Sequence, residues 1–222
     1  ISAKFMSYVH HPGDLPDVPP LTHLSLRVNG LNCQNVVADV VRRSISTLTH
    51  LELYSCNRVE IRSILSSRPV KLRHLICLDH PPRPHAEEDD YLDIILPSLV
   101  ELRSLVLGPY RYTSFSFVDE LPRLRELVIV VEHVSGNNQG PINLLFLDLK
   151  SRLTKNRLTS INISIQTCSA RWFPQDQLSP LHLLSKACNE FGVKFKVHVF
   201  HVNGAMENHE FYQFQVAAAK RR

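Results

Sequence analysis

The sequence predicts an α/β fold built from repeats, with a curved parallel sheet on the concave face and helices on the convex face. Three observations predict it. A Leu-x-x-Leu-x-Leu block recurs six times, beginning at Leu21, Leu48, Leu72, Leu102, Leu124 and Leu158. Successive blocks start 27, 24, 30, 22 and 34 residues apart, a spacing that fits stacked supersecondary units. Segments with helical spacing of apolar residues lie between them. The 222 residues, 44% hydrophobic and 21% charged, are enough for a sizeable core and exclude general disorder.

Each element follows in order. Residues 1–20 read as a Pro-rich lead-in, 21–202 as the repeat array and 203–222 as a C-terminal tail or helix. The chain opens at Ile1 without an initiator Met, which reads as a fragment. In LTHLSL from Leu21 and LTHLEL from Leu48, side chains alternate, so the leucines enter the core and the residues between them face the concave side. After the first block comes Asn29-Gly30-Leu31, and after the second Cys56-Asn57-Arg58-Val59. An Asn or Cys eight residues after the first leucine is the turn signature of a leucine-rich-repeat solenoid. Buried at that bend, it can pair backbone groups the turn leaves open. The equivalent positions later are His80, Tyr110, Glu132 and Gln166.

Helices are expected at Leu31–Ser44, where Val36, Val37, Val40 and Val41 share a stripe, and at Arg58–Leu65. Glu87–Leu96 begins with four acids, favoured at a helix start. Pro141–Leu153 opens on a proline suited to a first turn, and Gln177–Phe191 stops at Gly192. Val193–Val202 (VKFKVHVFHV) alternates like a strand without the leucines, as a terminal element would.

Composition narrows the function. Twenty-five Lys plus Arg against 21 Asp plus Glu give a net +4, too little to imply nucleic acid. No apolar run is long enough for a spanning helix, so no membrane is expected. Five widely spaced cysteines, Cys33, Cys56, Cys77, Cys168 and Cys188, lack a C-x-x-C pair. They read as reduced, mostly buried thiols of an intracellular protein, in the cytoplasm or nucleus. Phosphate-loop, dinucleotide, HExxH and G-x-S-x-G motifs are absent. Catalytic residues, metal sites and cofactors are therefore all expected to be none. His198 and His201 fall on opposite sides of their strand, and tandem His10-His11 needs no function. Asn162-Ile-Ser164 is a glycosylation sequon within an expected strand, and Glu87–Asp90 lacks the spacing of a calcium loop.

With those residues in place, the chain resembles the leucine-rich-repeat region of F-box/LRR proteins of the irregular fungal type. LTHLELYSC, the variable repeat lengths and the ending LLSKACNEFGVKFKV carry the resemblance, over roughly Leu21 to Val202. It implies substrate recognition for an SCF-type ubiquitin ligase, with a protein target on the concave face. A ligase adaptor would be reached through an F-box, which is not legible in Ile1–Pro20. Two other readings stay open: an α/β hydrolase-like enzyme whose Leu-rich strands mimic repeats, and a repeat scaffold with no ligase link.

The concave residues expected to meet a partner are His23, Arg27, His50, Glu52, Tyr54, His74, Ile76, Leu78, Val106, Glu126, Val128 and Val130. Two features stand out among them. His23, His50 and His74 should form a stacked ladder. Ile76, Leu78, Val106, Val128 and Val130 should form one apolar contact patch, unless Gly136–Gly140 or Asn208–Ala219 folds over it, or a one-residue slip turns it inward.

Overall fold

The computed structural model describes residues 2–6, 20–27, 40–56, 58–66, 68–79, 94–108, 114–134, 139–154, 157–167 and 180–201. Several sequence expectations lie outside them: His10-His11, Asn29, Cys33, most of the Leu31–Ser44 helix, Glu87–Asp90, Cys168 and the tail Asn208–Ala219.

Among the described residues, eight strands form one parallel sheet in unbroken chain order: β1 Ser2–Met6, β2 His23–Arg27, β3 His50–Cys56, β4 His74–Asp79, β5 Ser104–Gly108, β6 Glu126–Val134, β7 Ser160–Thr167 and β8 Lys194–His201. Sequential order follows from the repeats, since each unit can bury its apolar side only against its neighbours. The leucine blocks stand in register, Leu24, Leu51, Leu75, Leu105, Leu127 and Ile161 pairing successively. All eighteen block positions, Cys77 included, are at most 6% exposed. Burial of each such side chain contributes about 1.5–3 kcal/mol before chain entropy is set against it.

β1 was not among the expected strands. It pairs in register with β2 from a segment with no leucine block, Ala3 opposite Leu24 and Phe5 opposite Leu26. Five residues alternating as Ser-Ala-Lys-Phe-Met are too short to register as a repeat, yet they can pair along the edge of β2.

Among the described residues the connectors carry both helices and 3-10 turns. Helices α1 Arg58–Leu65, α2 Gln139–Arg152 and α3 Pro180–Glu190 lie in them, and residues 40–43 of the β2–β3 connector are helical as well. The β4–β5 connector ends in a 3-10 turn at Leu96–Ser98, and the β5–β6 connector has one at Ser116–Glu120. The latter unit is the shortest repeat, and a 3-10 turn spans its gap with few residues. Helix and turn alike place apolar side chains on the common core: Ile61, Ile64 and Leu65 from α1, Leu145, Phe146 and Leu149 from α2, Leu184, Ala187 and Cys188 from α3, Phe115, Phe117 and Val118 from the 3-10 segment. Their i, i+3, i+4 spacing in the helices is what makes one face of each apolar. Helix α3 closes at Gly192, whose φ of +69° permits the paired closing bonds Val193 N to Cys188 O (2.8 Å) and Gly192 N to Asn189 O (3.2 Å).

A carboxylate ties the shortest unit to the next helix. Asp148 on α2 accepts from the Phe115 amide at 2.7 Å and from Arg152, which also pairs with Asp119. The 3-10 turn thus receives through one acid the anchoring that a longer helix would supply by packing.

Among the described residues no helix is long and apolar enough to cross a membrane.

Candidate functional site

Strand alternation and register build three rows on the sheet face opposite the main core. The row at the strand starts runs His23, His50, His74, Ser104, Glu126, Ser160, Lys194. The second runs Ser25, Glu52, Ile76, Val106, Val128, Asn162, Lys196. The third holds Arg27, Tyr54, Leu78, Gly108, and on later strands Val130, Ser164 and His198. Every expected partner-binding residue therefore sits on this one face, although the side chain of Arg27 lies outside the described residues.

The three histidines stack. Ring centroids are 4.0 Å apart between His23 and His50 and 4.2 Å between His50 and His74, with interplanar angles of 14° and 10°. Parallel strands at their fixed spacing hold one ring above the next. Thr49 Oγ1 lies 3.0 Å from the Thr22 carbonyl and 2.8 Å from His50 Nδ1. A carbonyl only accepts, so both contacts are satisfied when the hydroxyl donates to it and His50 Nδ1–H donates to the hydroxyl. Nε2 of neutral His50 is then an acceptor. Burial holds the His50 imidazolium down, to a pKa of about 4, aided by His74 and His23 and by Arg73, against the opposing pull of Glu52. His74 is lowered too, by burial first, with Glu126 opposing and Arg103, His23 and Arg73 assisting. Rings stacked face to face direct their nitrogens side by side and not to a common point. Among the described residues, no group of three or more His, Cys, Asp or Glu is placed to hold a metal ion.

Beside the ladder, the Tyr54 hydroxyl donates to Glu52 Oε2 at 3.1 Å. Burial and the adjacent carboxylate raise the Tyr54 phenol well above its ordinary range, so it remains a donor at every physiological pH.

The apolar patch forms, but it is closed. Ile76, Leu78, Val106, Val128 and Val130 make a cluster of their own, separate from the main core, with Tyr54 packed against it. Expected as a contact surface, the five are instead 9% exposed or less. Burial deepens along the strands: Ile76 and Val128 are 9% and 8% exposed, Leu78 and Val130 1% and 0%. The strand starts are the open end, with His23 and Glu126 exposed and His50, His74 and Ser104 half-buried. The register is as expected, so no slip has turned the residues toward the main core; they are buried on their own side.

Gly108 belongs to this closure; strand alternation places it on the row but does not give its packing role. A Cβ added there would stand 2.5 Å from Val130 Cβ, so only glycine lets Val130 occupy its place. Gly108→Ala is expected to cost about 1–3 kcal/mol through overpacking, read as a lower midpoint in urea. An unchanged midpoint would mean that Val130 has room to move.

The described thiols lie in the core. Cys77 fills a leucine position at 2% exposure, and Cys188 is 0% exposed, its thiol raised by burial to about 11. Neither is expected to react with a thiol reagent at pH 8 until the chain unfolds; fast native labelling of either, located by mass spectrometry, would contradict its placement. Cys56 ends β3 just past a register shift at Tyr54, the position expected of the repeat's turn residue.

No protein-family model matches the chain, and no curated protein matches it. Two solved structures are similar. Internalin C2 from Listeria monocytogenes is 16% identical with a TM-score of 0.36, over 82% of this chain and 65% of that one. The 3-keto-D-glucoside 4-epimerase of E. coli is 10% identical with a TM-score of 0.32, over 90% of this chain and 89% of that one.

Proposed function

We propose that this chain is a leucine-rich-repeat solenoid that acts as a protein-interaction module without catalysis of its own. One observation carries the reading. Consecutive strands deliver side chains in register onto a single broad face, as a recognition surface requires. Among the described residues, the histidine, glutamate, serine and lysine of its open rows stand in ladders set by the strand register. The target meets the open rows near the strand starts, around the histidines, Glu52 and Glu126, with Tyr54 as an aromatic anchor at the edge of the closed patch. The resemblance of LTHLELYSC and LLSKACNEFGVKFKV to F-box/LRR proteins extends the proposal to substrate recognition for an SCF-type ubiquitin ligase in the cytoplasm or nucleus.

A photoreactive residue at Lys196, exposed on β8, should capture a discrete protein in cells, and one at Lys186, exposed on α3, should not. Equal capture at both positions, or none at either, overturns the module reading. Turnover in a hydrolase screen that tracks with a substitution on this face overturns the non-catalytic part. The ligase link fails separately if the full-length product does not co-purify with the SCF adaptor.

A further inference from the structure

The starts of the central strands carry a second, basic row that lies outside the expected partner-binding set. Three consecutive units enter their strands through Lys-Leu-Arg-His (71–74), Glu-Leu-Arg-Ser (101–104) and Arg-Leu-Arg-Glu (123–126). The repeat aligns the arginine that follows the leucine in each. Arg103 and Ser104 amides both donate to the Arg73 carbonyl, at 2.8 and 3.0 Å, and Arg125 and Glu126 amides both donate to the Arg103 carbonyl at the same distances. Arg73, Arg103 and Arg125 therefore follow one another at the spacing of neighbouring strands, about 4.8 Å.

The fold does little to neutralise this row. Among the described residues neither Arg73 nor Arg103 makes an ion pair, and both are exposed. Arg125 donates to the carbonyls of Leu124 (3.0 Å) and Pro122 (3.5 Å), which leave its charge uncancelled. Glu101 is already taken by Arg123, one repeat further along. Glu126 is the other acid in these segments, set against Lys71 and the three arginines. Like charges held side by side on adjacent strands destabilise a sheet. They also concentrate positive potential on one rim of a chain whose net charge is only +4.

We infer that this rim, Arg73–Arg103–Arg125, is a docking surface for an acidic segment of a protein partner, lying across the strand starts. The inference rests on the module reading above and names the chemistry of the partner. Guanidinium forks in a row match successive carboxylates of an extended chain, each able to take two parallel hydrogen bonds. Nucleic acid is a poorer match, because single strands are held by aromatic faces beside the charges. His74, next to Arg73 in the chain, gives one ring face to His50, and His50 gives its two to His74 and His23.

The probe is a fluorescein-labelled peptide of six Glu-Ser repeats, followed by anisotropy with the whole chain. Binding is expected, weakening as salt rises. Arg103→Glu and Arg73→Glu should each weaken it at least tenfold with circular dichroism unchanged, whereas Arg62→Glu, the same charge change on α1, should leave it within twofold. No binding, or equal weakening by Arg62→Glu, overturns the inference. Tighter binding of single-stranded DNA or of phosphatidylserine vesicles overturns the assignment to an acidic protein. Capture from Lys196 in cells with no peptide binding at the rim would overturn this inference and leave the module reading intact.

Discussion

Val106→Asp is expected to unfold the chain or lower its Tm by about 10 °C, and any loss of partner binding would follow from that. Val106 is 3% exposed within a cluster whose members are hydrocarbon apart from the Tyr54 ring. A carboxylate placed there loses its water and gains no cation, a change that costs about 4 kcal/mol or more. For a chain of this length each kcal/mol shifts Tm by about 2–4 °C. Lys196→Asp supplies the control. It introduces the same carboxylate in the same row, but at an exposed position of β8, and should stay within about 0.5 kcal/mol. A Val106→Asp chain as stable as the Lys196→Asp chain would show that water reaches the patch, restoring it as a contact surface.

That expectation reverses what the residues alone suggest, and the reason is instructive. Alternation within Leu75-Ile76-Cys77-Leu78 and Leu105-Val106-Leu107-Gly108 tells which side chains share a side of the sheet. It does not tell what lies above that side. The period of two therefore made the rows legible, down to the stacking of three histidines drawn from units 27 and 24 residues apart. Substitution of Cys77 for a leucine was legible too, because the repeat leaves its neighbours no freedom to shift. Closure of the apolar patch was not, since it depends on contacts outside any local pattern. Gly108 carried a signal that could have been read: a glycine inside a strand often marks a close approach. The Asp148 anchor was hidden for the opposite reason. Asp148 meets the Phe115 amide from 33 positions away, and its partner Arg152 meets Asp119 from 33 positions away, contacts that form only once β6 and the connectors are packed. β1 was missed because five alternating residues leave no repeat to detect.

Acidification is expected to weaken the fold through the histidine ladder. The folded-state pKa of His50 is about 4, below the ordinary 6.5 that it regains on unfolding. Below pH 6.5 the unfolded chain therefore binds the proton more readily than the folded one, and stability falls with pH. The contribution is complete above pH 6.5, is lost progressively between 6.5 and about 4, and does not change further below that. A shift of this size corresponds to about 3 kcal/mol for a fully buried group; His50 is half-buried, and solvent screening reduces its contribution to about 1–2 kcal/mol. His74, also lowered, adds a loss of the same sign. The neighbouring groups enter directly: Arg73, His23 and His74 oppose a charge on His50, while Glu52 favours one. Removing a neighbour should therefore move the titration in a direction that can be stated. His74→Gln raises the His50 pKa, and Glu52→Gln lowers it further. Urea unfolding across pH 7.5 to 4 gives the stability profile, and NMR titration of the ring protons gives the pKa values. A His50 that titrates near 6.5 and is indifferent to His74→Gln would show that the rings do not stack in solution. A profile for His50→Gln that falls less steeply than that of the parent chain would assign the difference to this imidazole, with His74 supplying part of the remainder.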